Sequence, residues 1–245
     1  MKLSEYLLEI KTFLQKILQE SHQKTYVLGL SGGIDSSLVA ALTKEAVGKD
    51  KLMCLMIPIE SDPRDLRDAL LLVRKFKIKY LIIDGSESFH STVKRFEEQD
   101  IILSQEAQSN LKVRIRMTIL YAYAQTYQGL VLGTDNLDER YTGYFTKYGD
   151  GAADVLPIVY LNKKEVKEAA QLLGVPLSLI NKVPSAGLFQ GQTDEKEMGI
   201  TYDELDDYLL GKEISNKTKK RIEELHSLSR HKREAIPTPM EFRRD

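Results

Sequence analysis

A disulfide framework is excluded at once, because the 245-residue chain has a single cysteine, Cys54, set inside the apolar run KLMCLMI. One cysteine cannot build a cysteine-based metal site either, and in that setting it reads as a small core hydrophobe. Excess charge of either sign is also missing: 35 basic residues stand against 36 acidic ones. The overall balance therefore gives no sign of a nucleic-acid binder. No apolar run approaches the ~18 residues that a membrane-spanning helix needs. The opening stretch MKLSEYLLEIKTFLQ is interrupted by charges every few residues and does not read as a signal peptide. No internal repeat, low-complexity tract or clear linker is visible. The expectation is a soluble cytoplasmic protein of one domain, without membrane or nucleic-acid partners.

Hydrophobic residues make up 42% of the chain, enough for one sizeable core. Leu3, Leu7, Ile10, Leu14 and Ile17 recur at spacings of four and three, which predicts an amphipathic helix over 3–20. That helix either packs on its own domain or supplies a subunit contact. Strands and helices then alternate. Strands are expected at 25–30, 51–57, 79–83 and 130–133, and helices at 36–47, 63–76, 105–127 and 163–173. Residues 84–100 and 134–157 read as irregular, and the chain beyond 180 as polar loops and short helices. Continuous apolar strands suggest a sheet covered on both faces: an α/β, Rossmann-like, doubly wound and mostly parallel fold.

The first strand runs into SGGIDSS, Ser31 to Ser37. Adjacent glycines at a strand-to-helix turn let successive N–H groups face one point. The helix that follows adds its N-terminal donors, and Ser31, Ser36 and Ser37 add hydroxyls, so the turn suits phosphate. One helix terminus contributes only about 0.3–1 kcal/mol toward a charge, so basic groups and a metal must help. Asp35 would repel a bare phosphate and suggests Mg2+ between carboxylate and phosphate oxygens. The loop lacks the Lys-Ser/Thr of a P-loop and the GxGxxG of a dinucleotide fingerprint. A second cluster, GTDNLDERYTGYFTKYGDGAAD, follows the last strand and gathers Asp135, Asp138 and Glu139.

SGGIDS resembles the pyrophosphatase loop of the ATP pyrophosphatase superfamily, whose members cleave ATP between its α and β phosphates. The second cluster, with NLKVRIRM, LNKKEV, VPSAGL, GQTDEKEMGITYDELDDYLLG and RHKR, makes residues 26–232 similar to the NAD synthetase family. The resemblance implies ATP-dependent amidation of deamido-NAD by ammonia to NAD, through an acyl-adenylate, with release of AMP and pyrophosphate. It implies that Gly29, Leu30, Ser31, Gly32, Gly33, Ile34, Asp35 and Ser36 surround ATP, with Thr134, Lys163 and Ser185 as further contacts. Asp35 and Glu139 would bind Mg2+. Arg114, Lys147, Asp154, His231 and Lys232 would contact deamido-NAD. Met56 stands where many relatives carry Arg. Asp35 and Lys163 are the catalytic candidates on the ATP side. Asp150, between Gly149 and Gly151, either binds and deprotonates ammonium or merely stabilises its turn. The resemblance also implies a homodimer, with a nucleotide-binding core over about 23–180 and a substrate-covering segment over about 181–245. A glutamine-using version would need an amidase module with a nucleophilic cysteine, for which there is no room. Two other readings stay open: a different adenylating amidotransferase of the superfamily, or a non-enzymatic adenine-nucleotide sensor.

Overall fold

The computed structural model describes residues 1–185, 187 and 193–242. Parts of the VPSAGL and GQTDEK stretches lie outside the described residues. Strands β1 (Thr25–Gly29), β2 (Leu52–Met56), β3 (Lys79–Ile82) and β4 (Gly129–Leu132) form one wholly parallel sheet in the order β3-β2-β1-β4. Helices lie on both faces. Helix α1 (Leu3–Glu20) turns Leu7, Ile10, Leu14 and Leu18 into the main core, against α2 (Ile34–Val47), and the Tyr26 hydroxyl donates to the Leu14 carbonyl at 2.7 Å. The apolar stripe of α1 is thus buried within its own chain. Helix α3 (Pro63–Phe76) starts at Asp62, whose carboxylate accepts from the Arg64 N–H, and Pro63 presets the first turn.

Two stretches that read as irregular hold helices. Helix α4 (Ser86–Glu97) buries only Phe89, so it leaves a weak apolar signature. Helix α5 (Gln105–Tyr127) covers the opposite face of the sheet, packing Met117 and Leu120 beside Val27, Leu55 and Val131. Helix α6 (Leu137–Thr142), at six residues, is too short for a periodicity, but its capping box of Asn136 and Glu139 is explicit. The expected cover on both faces is found, but at the sheet edge Tyr80, Leu81 and Ile82 of β3 are all exposed: β3 lies outermost, and among the described residues no further strand pairs with its free edge.

Helix α7 (Lys163–Leu172) joins the main core, followed by the single turn α8 (Leu177–Ile180). Beyond come α9 (Asp194–Met198), α10 (Tyr202–Leu209), α11 (Asn216–Leu228) and α12 (Arg230–Arg233). Met198, Ile200, Tyr202, Leu205 and Ile222 make a small separate core there, with α10 on α7 and α11 on α6. Among the described residues no helix is long and apolar enough to cross a membrane.

Candidate active site

Crevices at the carboxyl ends of parallel strands, where the strand order reverses, are the usual ligand sites of such sheets. Here the reversal falls between β1 and β4, and both acidic motifs follow those two strands. After β1, Gly32 adopts φ +79°, and a Cβ there would lie 2.3 Å from the Asp65 carbonyl oxygen. Only glycine lets the loop lie against α3 in this conformation. Ser31 and Ser36 hydroxyls are 3.1 Å apart, and Gly33, the residue that caps α2, donates its N–H to Ser31 at 3.2 Å. The Lys182 ammonium ties this loop down. It donates to the Gly32 carbonyl at 3.1 Å, to Asp65 at 2.8 Å and to Asp68 at 2.7 Å. Ser185 follows three residues later, exposed, its hydroxyl accepting from the Gly187 N–H.

A buried lysine joins the two strand ends. Lys163 donates to Asp35 at 2.8 Å and lies 3.4 Å from Glu139. Burial alone would push its ammonium down, but Asp35 and Glu139 outweigh burial and hold it above its ordinary range. Burial pushes Glu139 up, against the pull of Lys163. Asn136 donates its side-chain N–H to Asp35 at 2.9 Å, so the cap of α6 also orients the carboxylate at the start of α2. Behind Lys163, its backbone N–H donates to Asp138 at 2.7 Å and faces Asp206 of α10 at 3.3 Å. Burial raises both carboxyls, Asp138 to about 8. Asp138 Oδ1 is buried with no hydrogen-bond partner, and the charge of Asp206 adds to the rise of its carboxyl. From the C-terminal segment, the Tyr202 ring lies 4.7 Å from the Lys163 ammonium, and its hydroxyl donates to Asp194. Asn136, Asp194, Asp206, Tyr202 and Lys182 were given no role by the sequence. Their stretches carried the resemblance, but nothing in spacing said that they would face Lys163 or the loop.

The residues expected to meet the second substrate form an adjoining group. Arg114, exposed on α5, donates to the Lys147 carbonyl at 3.2 Å, and the Lys147 ammonium donates to the His231 carbonyl at 2.6 Å. Lys232 donates to the carbonyls of Gly143 and Phe145 at 2.7 and 2.6 Å, which docks α12 against the turn after α6. The His231 ring itself is exposed. Asp150 is crowded by protein atoms yet open to solvent. Crowding raises its carboxyl, and N–H groups of Thr146 (2.7 Å) and Gly151 (3.2 Å) donate to it and pull the other way. Asp154 stands apart: it accepts from the Val131 N–H at 2.7 Å and the Tyr121 hydroxyl at 3.2 Å, beside a cavity of about 390 Å³ lined also by Gln23 and Gln125. Thr134 is half-buried directly after Gly133, and Met56 ends β2 fully buried in the main core.

The fold and the two motifs agree with what comparison shows. A family model for NAD synthase matches residues 6–236. An NH3-dependent NAD+ synthetase of Mesoplasma florum is 45% identical over 244 residues, covering the whole of both chains. Among solved structures, an NMN synthetase from Francisella tularensis superposes with a TM-score of 0.93 at 40% identity, over 98% of this chain and 99% of that one. An NH3-dependent NAD synthetase from Campylobacter jejuni gives 0.81 at 29% identity, over 98% and 100%. With a match of this length on a sheet whose two acidic loops meet at its reversal point, the chain belongs to the NAD synthase family.

Proposed function

We propose that this protein catalyses the ATP-dependent amidation of deamido-NAD by ammonia to give NAD, AMP and pyrophosphate. The observation that carries this is the Lys163 ammonium held between Asp35 and Glu139 at the mouths of β1 and β4, in a chain that belongs to this family. A nicotinate carboxylate resists ammonia because it is anionic and its oxide leaves poorly. Attack of the carboxylate oxygen on the α-phosphorus of ATP forms an acyl-adenylate and breaks the bond to the β-phosphate. Pyrophosphate leaves with the electron pair. Ammonia then adds to the activated carbonyl, and AMP departs.

The N–H groups at the start of α2 and the Ser31 and Ser36 hydroxyls receive the phosphates, and Lys163 offsets their charge. Asp35 and Glu139 already hold one cation between hard carboxylate oxygens, a donor chemistry that also fits Mg2+. Bound there, the ion would shield the phosphates and the leaving pyrophosphate. Thr134 and Ser185 complete the ATP contacts, and Arg114, Lys147, Asp154, His231 and Lys232 those of the second substrate. Asp150 attracts ammonium and takes a proton from it. Its openness to solvent supports this, while its hydrogen bonds within the turn show how it is held. The chain acts as one domain in the cytoplasm, with residues 181–245 covering the substrate. It pairs as a homodimer, for which the exposed Tyr80, Leu81 and Ile82 of β3 offer a surface.

A second substrate is favoured by one comparison. The Francisella tularensis structure, with its TM-score of 0.93, is described as an NMN synthetase, which points to the mononucleotide acid in place of deamido-NAD. One experiment separates the possibilities: the protein with ATP, Mg2+ and ammonium is offered each acid in turn, and NAD or NMN, AMP and pyrophosphate are scored together. Equal yields of amide, AMP and pyrophosphate from deamido-NAD support the main reading. Preference for the mononucleotide replaces the substrate, and ATP binding without pyrophosphate release would leave a sensor.

A further inference from the structure

Interior cations in this protein usually meet a carboxylate. Lys112 reaches Glu60 at 2.6 Å, Lys163 reaches Asp35 at 2.8 Å, and Lys182 reaches Asp68 at 2.7 Å. Arg116 of α5 differs, as do Lys147 and Lys232, whose ammonium groups meet only carbonyls. Arg116 is half-buried, and its bonds go to two uncharged oxygens: Nε to the Ile57 carbonyl at 3.0 Å and Nη2 to the Ser61 hydroxyl at 3.1 Å. Among the described residues no carboxylate comes within ion-pair distance of it, although Asp150 and Asp65 lie near enough for their charge to act on it. Those two bonds leave most of the guanidinium's N–H donors unused. Burial of a cation without a counter-charge is costly, and it is offset when an anion arrives.

The position says which anion. Arg116 bonds to Ser61 and lies near Asp65, whose carbonyl is the surface against which Gly32 of the phosphate loop lies. Asp150, within the turn that also carries Lys147, is near enough for its charge to act on Arg116 as well. Arg114 and Arg116 are two residues apart on one helix, so they point to different sides. Arg114 goes to Lys147, and Arg116 goes to the loop after β2. Resting on the function proposed above, we infer that Arg116 binds the α-phosphate at the meeting point of ATP and the nicotinate carboxylate. Its planar fork suits two phosphate oxygens. As the carboxylate oxygen bonds to phosphorus and the bond to the β-phosphate breaks, the guanidinium holds the non-bridging oxygens. It neither gives up nor accepts a proton.

The test compares full-length wild type, Arg116→Met, Arg116→Lys and Ser61→Ala. The measurements are exchange of labelled pyrophosphate into ATP in the presence of deamido-NAD, deamido-NAD affinity and thermal stability. Arg116→Met is expected to lower exchange about 100-fold, with deamido-NAD affinity kept. Arg116→Lys should recover part of the rate. Ser61→Ala removes one of the two bonds from Arg116 to the β2–α3 loop, together with the Ile59 N–H bond to the same hydroxyl, while leaving the guanidinium, and should keep most of the rate. Undiminished exchange in Arg116→Met overturns the inference. So does a loss in Ser61→Ala as large as in Arg116→Met, since Arg116 would then only hold the loop. Should Arg116→Met fail to fold, exchange by Arg116→Lys equal to wild type overturns it as well. Should the wild type make no amide at all, that failure belongs to the proposed function. ATP affinity then decides the anion role, and an affinity unchanged in Arg116→Lys and Arg116→Met overturns it.

Discussion

Asp35 accepts from both Lys163 and Asn136, so its charge is oriented before any nucleotide arrives. Asp35→Asn keeps the volume and most of the hydrogen bonding but removes that charge. Charge stabilisation at a departing pyrophosphate is worth several kcal/mol in the transition state. The expected result is a fall in kcat of about 100-fold or more, with unfolding midpoint and circular dichroism close to wild type. A variant turning over at near wild-type rate would remove Asp35 from the chemistry. Asp135 makes a different kind of prediction. It is buried, one of its oxygens has no hydrogen-bond partner, and burial pushes its carboxyl up to about 8. Unfolded, the same group titrates near about 4. Between those values the native state binds more protons than the unfolded chain, so stability falls as pH rises through this window. Asp135→Asn should therefore lose less stability than wild type between about pH 5 and about pH 8, as followed by urea unfolding. An equal loss in both proteins would show that Asp135 is not the group responsible.

Helix α12 is only four residues long, and no apolar stripe holds it. Its attachment is polar, through Lys232 to two carbonyls and Lys147 to the His231 carbonyl. Lys232→Ala with His231→Ala removes the two Lys232 bonds and keeps the one from Lys147, so it is expected to loosen this end, raise KM for deamido-NAD and leave the thermal midpoint within a few degrees. Limited proteolysis with and without both substrates checks it: protection by substrates in wild type, absent from the double variant. Elements with strong periodicity were legible in the sequence. The helices over 3–20, 63–76 and 105–127 and all four strands lie where spacing and propensity put them, to within a residue or two. Helix α4 was missed because it buries one side chain, and α6 because a single turn and a half has no period to detect. In the site, the loop chemistry of Ser31 to Ser36 could be derived from the residues themselves. That Asn136 and Lys163 would both reach Asp35 could not, since it depends on which strands become neighbours.

At the scale of the whole molecule the sheet is lopsided. Its β4 side borders the site, while β3 ends in three exposed apolar side chains, Tyr80 at 38%, Leu81 at 42% and Ile82 at 47%. Tyr123 and the exposed Tyr127 of α5 extend this surface, Tyr123 lying near Lys79. An open apolar edge of this kind is what a second copy would cover. Leu81→Glu is expected to shift the mass measured by light scattering from dimer toward monomer without unfolding the chain. A dimer that persists would place the contact elsewhere. The bond between Lys163 and Asp35 spans 128 positions of chain, and this has a consequence for synthesis. A ribosome delivers the phosphate loop early, with Asp35 lacking its counter-charge and Lys163 still unmade. Until α7 has emerged and docked, ATP finds no finished pocket and cannot favour the native fold by binding it. Nucleotide binding would thus favour only chains in which α7 has already docked.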